Sequence, residues 1–296
     1  MRVFGGHFVG AYESIRAESR LSPCGLRRFC SPVHLHAVRM IASSAPAMAL
    51  TMTLLTPILA GCRGVQPQHA DKTLEDVIAE NTAARGGAKA IESAHTLAIR
   101  LRIAERKFTV DGLYQASRDG RMRIDVFANG KRVYSEGYDG QRAWQLSEDA
   151  EHGVDSSPSG AAALRHGLEL PITLRGLHEM GARGHQLRLL DRELVDGTNY
   201  YVVEVRFDDG FTTYLYVNPS TNLIDRMRDI RALHPDIDAK TRWIEQRYED
   251  FREVDGRIFP FKSSQVDLRN QEVMQTTMVL EVTTNPRLTK ATFAAP

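Results

Sequence analysis

Leu97-Ala-Ile-Arg-Leu-Arg-Ile-Ala104 alternates without a break. Leu97, Ile99, Leu101 and Ile103 occupy one parity; Ala98, Arg100, Arg102 and Ala104 occupy the other. A period of two places every second side chain on the same face of an extended chain, so this stretch predicts a half-buried strand. The pattern recurs downstream. Met122, Ile124 and Val126 alternate with Arg121, Arg123 and Asp125; further rows are Tyr201-Val203-Val205-Phe207, Phe211-Thr213-Leu215-Val217 and Met274-Thr276-Met278-Leu280-Val282. Turn dipeptides separate the rows: Asp-Gly begins at 111, 119, 139, 196, 209 and 255, and Asn-Gly at 129. Both residues tolerate positive φ, so these pairs are strong hairpin signals. Asp111-Gly112 sits inside a strand-like run and reads as either a turn or a bulge.

The fold class expected from this is mainly β (α+β): a single curved antiparallel sheet, or unclosed β-barrel, of about eleven strands. Helical periodicity is confined to a few places. Leu74, Val77 and Ile78 make one apolar face after Thr73, a plausible N-cap, with Glu75 and Asp76 in the first turn and Gly86-Gly87 as the stop. A short second helix is expected over Ala88–Ser93. Residues 149–160 are polar and rich in Ser, Asp and Gly, and two short helices are expected after them, Ala161–Leu168 and Pro171–Met180. So few helices cannot cover both faces of so wide a sheet, and they are expected on its concave side.

The region before the sheet is of another kind. Met40 to Gly61 holds no charged residue, and Arg27, Arg28 and Arg39 lie upstream. A basic segment, an apolar segment and small residues before a cut site describe a secretory signal. Leu59-Ala60-Gly61-Cys62 closes the apolar run and resembles the lipobox of bacterial lipoproteins at all four positions. That resemblance implies cleavage before Cys62, acylation of the new N-terminal cysteine and, with Arg63 next, the periplasmic face of the outer membrane. The alternative is an uncleaved signal anchor, since the run is about long enough to span a bilayer. Residues 1–38 carry no periodicity and are long for a basic leader, so an upstream start codon is one reading and the true start stays open. The expected organisation is therefore 1–61 extension and signal peptide, 62–72 lipidated cysteine and tether, and 73–296 a folded domain.

Composition excludes several functions. The chain has 38 Lys+Arg and 37 Asp+Glu; residues 1–62 account for six and two, leaving 32 and 35 in the rest. That balance offers no basic patch for nucleic acid. Cys24, Cys30 and Cys62 all precede the folded part, which leaves it no internal disulfide and no thiolate zinc site. His178-Glu179 with His185 departs from the metalloprotease spacing, and Gly181 and Gly184 interrupt any helix there. Ser156, Ser157 and Ser159 form no nucleophile elbow. The acidic neighbours at 148–149, 208–209 and 249–250 point to opposite faces if on strands. No catalytic residue, metal site or cofactor is assigned, and no enzymatic activity is expected.

A set of segments in a fixed order resembles the LolA/LolB-like superfamily of periplasmic lipoprotein carriers and receptors. They are Ala84-Arg85-Gly86-Gly87, Tyr138-Asp139-Gly140 with Trp144, Leu215-Tyr-Val-Asn-Pro-Ser-Thr-Asn-Leu-Ile224, Tyr248-Glu-Asp-Phe-Arg-Glu-Val-Asp-Gly-Arg-Ile-Phe-Pro260, and Thr284-Asn285-Pro286 before Phe293. The resemblance implies an unclosed β-barrel with a helical lid and an apolar interior that holds acyl chains. Candidate cavity residues are Leu97, Ile99, Leu101, Ile103, Trp144, Val203 and Val205. Trp144 and Trp243 read equally as cavity walls or as packing, and alternation alone is the same for a cavity and a filled core. The leading expectation is a lipid-anchored envelope protein that binds acyl chains or lipoproteins. The second is an assembly lipoprotein whose open sheet edge accepts a strand from another envelope protein. A hydrolase using the same cavity is the third.

Overall fold

The computed structural model describes residues 72–296. The lipobox Leu59-Ala60-Gly61-Cys62, the uncharged segment and all three cysteines lie outside the described residues.

Helix α1 (Leu74–Ala84) begins at a reciprocal cap: Thr73 Oγ1 accepts from the Asp76 amide at 3.2 Å, and the Thr73 amide donates back to Asp76 Oδ2 at 2.9 Å. Gly86 at φ 105° and Gly87 at φ 86° end it, and α2 (Ala88–Ser93) follows. Six strands then run as a meander: β1 (Thr96–Glu105), β2 (Phe108–Ser117), β3 (Arg121–Ala128), β4 (Lys131–Tyr138), β5 (Ala143–Ser147) and β6 (Val154–Asp155). Helix α3 (Pro158–Glu169) comes next, followed by single 3-10 turns at Leu177–Glu179 and Gly181–Arg183. Eight more strands return: β7 (Gln186–Leu189), β8 (Glu193–Val195), β9 (Thr198–Arg206), β10 (Thr212–Val217), β11 (Ile224–Arg231), β12 (Arg242–Val254), β13 (Arg257–Asp267) and β14 (Glu272–Thr284). A last turn of helix, α4, spans Lys290–Phe293.

All strand pairs are antiparallel, in one open sheet of 14 strands ordered β6-β5-β4-β3-β2-β1-β14-β13-β12-β11-β10-β9-β7, with β8 also on β9. The three strands beyond the expected eleven or so include β6, β7 and β8, of two, four and three residues, too short to show a period. The topology places the helices. The first meander ends at one edge of the sheet and the second starts at the other, so residues 156–185 must cross from β6 to β7, and they do so over the concave face.

The turn dipeptides behave as their chemistry requires. Asn129-Gly130, Asp196-Gly197 and Asp255-Gly256 have positive φ at both residues, the geometry that two-residue hairpin loops need. Asp111-Gly112 is different: both residues pair in register with β1 and with β3, so it is neither turn nor bulge. The nearby register shifts fall in neighbouring pairings instead, between Arg100 and Leu101 opposite β14 and between Val126 and Phe127 opposite β4.

The crossing segment departs from expectation at both ends. Helix α3 starts at Pro158, with Ser157 Oγ accepting from the Gly160 amide at 3.0 Å, three residues before Ala161. The helix expected over Pro171–Met180 does not form. Leu170 leaves the helix at ψ 138°, and the carbonyls of residues 171–175 bond to arginines rather than to amides one turn on.

Two apolar clusters fill part of the concave face. One joins Val77, Leu177 and Met180 to Val203, Val205, Leu215, Val217 and Met227, beneath α1. The other joins Leu168 and Leu174 to Leu97, Ala116, Met122, Phe259 and Phe261.

Candidate functional site

Between α3 and the strands β1–β4 and β11–β14 the concave face is hollow. The cavity holds about 760 Å³, within the range of small-molecule sites. Strand register explains its walls. On one face, Ile99 stands across from Tyr114, which stands across from Ile124, which stands across from Glu136. One step along, Leu101 faces Gly112, Gly112 faces Val126, and Val126 faces Tyr134. With no side chain at Gly112, Leu101 and Ile103 of the neighbouring strand lie close over its backbone, where a Cβ would meet each at 3.5 Å. Leu164 and Leu168 of α3 and the segment 232–241 close the space from above.

Of the seven cavity residues picked from sequence, Ile99, Leu101 and Ile103 line this space. Leu97 shares their face but is fully buried in the cluster with Leu174 and Phe259. Val203 and Val205 point to the same side, at the end where α1 and Leu177 fill the concavity. Trp144 lies on the other face: it pairs with Gly137, whose missing Cβ would sit 2.6 Å from the indole, and its Nε1 donates to the Phe293 carbonyl at 2.8 Å. Helix α4 and Trp144 thus cover the outer side of β3–β5. Trp243 is 43% exposed and is not among the cavity walls.

Several polar groups border the cavity at defined places. Glu136 is set among apolar walls, and desolvation raises its pKa above the ordinary carboxylate value, partly offset by the Tyr134 hydroxyl, which donates to Glu136 Oε2 at 3.1 Å. Burial also pushes the Tyr114 and Tyr248 phenols up. His234 Nε2 lies 2.8 Å from Glu105 Oε1 and ties the 232–241 segment to β1. Asp236 Oδ1 accepts from the Ser157 amide at 2.7 Å, tying the same segment to the start of α3. At the far end of α3, His166 stacks on Phe211 with centroids 4.1 Å apart and reaches Asp209 at 2.7 Å.

A group of arginines that the sequence analysis did not single out fixes the roof. Arg85 donates to the carbonyls of Pro171 and Arg175 at 2.6 Å each, Ile172 at 2.9 Å and Thr173 at 3.2 Å. Arg257 reaches Thr173 at 2.5 Å, and Arg118 reaches Ile91 at 2.6 Å and Leu174 at 2.9 Å while pairing with Glu179. Desolvation lowers Arg85 to about 9 and Arg257 to about 10. Nothing in their spacing announces them; Arg85 in Ala84-Arg85-Gly86-Gly87 and Arg257 in the Tyr248–Pro260 stretch offered a signal as segments of the family resemblance. Gly86 is needed there because a Cβ would meet the Gly256 carbonyl at 2.0 Å.

The residues weighed for chemistry do not converge. His178 bonds Glu92 at 3.1 Å, Glu179 pairs with Arg118, and His185 packs on Phe207 at 4.4 Å. Among the described residues, no three or more His, Cys, Asp or Glu side chains are grouped to hold a metal ion.

No protein-family model and no curated protein matches the sequence. Solved structures do match the fold. A LolA superfamily protein from Nitrosomonas europaea is 15% identical with a TM-score of 0.50, over 75% of this chain and 98% of that one. An outer membrane lipoprotein-sorting protein domain from Vibrio parahaemolyticus is 8% identical with a TM-score of 0.51, over 73% of this chain and 94% of that one. With one open antiparallel sheet, helices across its concave face and these structural matches, the chain has the LolA-like fold.

Proposed function

We propose that this protein is a non-enzymatic, lipid-anchored protein of the cell envelope that binds acyl chains or lipoproteins in the cavity beneath α3. The observation that carries the reading is the cavity itself, about 760 Å³ and lined by apolar residues such as Ile99, Leu101, Ile124, Val279 and Leu164. Each buried methylene contributes about 0.8 kcal/mol, so a dozen give on the order of 10 kcal/mol before ordering costs. A hollow of this kind can hold lipid without specific catalytic groups. The fold shared with a lipoprotein-sorting domain supports the same reading. The anchor is read from the lipobox resemblance of Leu59-Ala60-Gly61-Cys62, and in that resemblance Arg63 rather than Asp after the cysteine favours the outer over the inner membrane.

The assembly reading, in which a partner adds a strand, finds little support at the sheet ends. Strand β6 offers two residues and β7 four, and short edge strands present few unpaired groups.

The test is uptake of a fluorescent acyl probe by the chain carrying Cys62→Ser, with Leu101→Glu as the comparison. Micromolar uptake that falls at least tenfold in Leu101→Glu supports the proposal. No uptake, together with no lipid in native mass spectra of gently purified protein, defeats it.

A further inference from the structure

The cavity is not uniformly apolar. Along the strand direction its walls change character in step with the register. Leu101 pairs with Val279. Two residues on, Ile103 pairs with Thr277, Thr277 with Ser263 and Ser263 with Tyr248. Two further, Glu105 pairs with Gln275, Gln275 with Gln265 and Gln265 with Gln246. This last row is a hydrogen-bonded ladder across four strands. Gln275 Nε2 donates to Glu105 Oε1 at 3.0 Å, and Gln265 Nε2 donates to Gln275 Oε1 at 2.8 Å. Arg231 Nη2 donates to both Gln265 Oε1 and Gln246 Oε1 at 3.3 Å. Every member of the row borders the cavity.

The charges around the space are as informative. Arg231 is the only Lys or Arg among the residues that border it, and Asp229 already holds it at 2.6 Å. Against it stand the carboxylates of Glu105, Glu136 and Asp236. The two imidazoles on the border, His166 and His234, are each already set against a carboxylate, Asp209 at 2.7 Å and Glu105 at 2.8 Å, so an anionic head would meet three acids and no cation without a carboxylate partner, where like charges are costly. Amide side chains carry both donors and acceptors, and their row can bond an uncharged head of either polarity.

We infer that the cavity selects its occupant by the head: it takes a single-chain or multi-chain amphiphile whose head is uncharged and bears hydroxyl or amide groups, with the tail along Ile99 and Leu101 and the head on the glutamine ladder. Fatty-acid carboxylates and phosphate heads are disfavoured. This rests on the acyl-binding reading above and specifies its ligand class.

The test is displacement of N-phenyl-1-naphthylamine, a neutral apolar probe, from the full chain carrying Cys62→Ser. Three competitors share one tail: monopalmitoylglycerol, methyl palmitate and palmitate at pH 8. The expected order is glyceride first, the ester about tenfold weaker because it brings no donor, and palmitate weakest. In Gln265→Leu/Gln275→Leu the glyceride should fall to the level of the ester, while the ester keeps its wild-type affinity, which also reports that the cavity is intact. The Gln265–Gln275 bond loses both partners together, while Glu105 keeps His234 and Arg231 keeps Asp229 and Gln246, so no charged group is stranded. Palmitate as good as the glyceride, or a double variant that keeps the glyceride preference, overturns the head-selection inference and leaves acyl binding standing. Failure of the probe and all three competitors to bind overturns both.

Discussion

Gly112→Leu separates stability from ligand binding more cleanly than any other change at the cavity. The position lies mid-strand in β2, is buried and has an ordinary backbone conformation, so a side chain is not strained there. A Cβ would find Leu101 Cβ and Ile103 Cδ1 at 3.5 Å each, which is normal contact. Glycine in a strand is destabilising by roughly 0.5–1 kcal/mol through chain entropy, and a newly buried leucine contributes about 1.5–3 kcal/mol when fully covered. Since a leucine reaching past Leu101 and Ile103 into the hollow is only part covered, the variant should be more stable by about 1–2 kcal/mol. Its four carbons occupy the space of about four ligand methylenes at about 0.8 kcal/mol each, a loss near 3 kcal/mol, or roughly 200-fold in acyl affinity. Urea unfolding and probe titration of the same preparation read both effects. A variant that is as stable as expected yet binds acyl probes with unchanged affinity would refute the placement of the ligand between Leu101 and Val126. Loss of stability instead would refute the account of why a glycine stands there.

Other outcomes follow from the same structure. Arg85→Met removes four hydrogen bonds to residues 171–175 but also relieves a buried charge whose cost is visible in its lowered pKa of about 9, so the net loss should be about 3 kcal/mol by urea unfolding; a loss under about 1 kcal/mol would mean the clasp contributes little. Glu136→Gln should raise the melting temperature at pH 7. Its folded pKa lies above the unfolded value, so the stability of the protonated form is present below the unfolded pKa and is lost as pH rises through the folded one. The advantage of the variant should therefore vanish near pH 4, and an advantage that persists there would point to packing instead. Cys62→Ser should abolish labelling by a palmitate analogue; equal labelling of both forms would exclude acylation at that residue.

Much of the fold was legible because each strand has one buried face and glycine turn chemistry marks its ends. Leu97 through Ala104 and the Asn129-Gly130, Asp196-Gly197 and Asp255-Gly256 turns carry that information locally. The cavity was legible only in part, since alternation says which residues share a face but not what lies opposite. Ile99 and Val203 have the same pattern; one looks into the hollow and the other packs beside Leu177 and Met180. Trp144 could not be assigned a side from its own sequence, because its partner Gly137 and its cover Phe293 lie on β4 and in α4. The Pro171–Met180 stretch misled for a related reason: its helical composition is overridden by Arg85 and Arg257, which arrive from distant parts of the chain.

The path of the chain, out to one edge and back from the other, has a consequence in time. Strand β1 is among the first made and its partner β14 is the last, with Leu97 opposite Thr284. Each half-meander can zip by short hairpins, but the seam between them closes only when nearly the whole domain is present, and such non-local closure is slow. Until then both seam edges are open and able to pair with other chains. Refolding should therefore show a late phase whose rate responds to changes in β14 such as Val282→Ala, while the same change leaves early hairpin formation untouched.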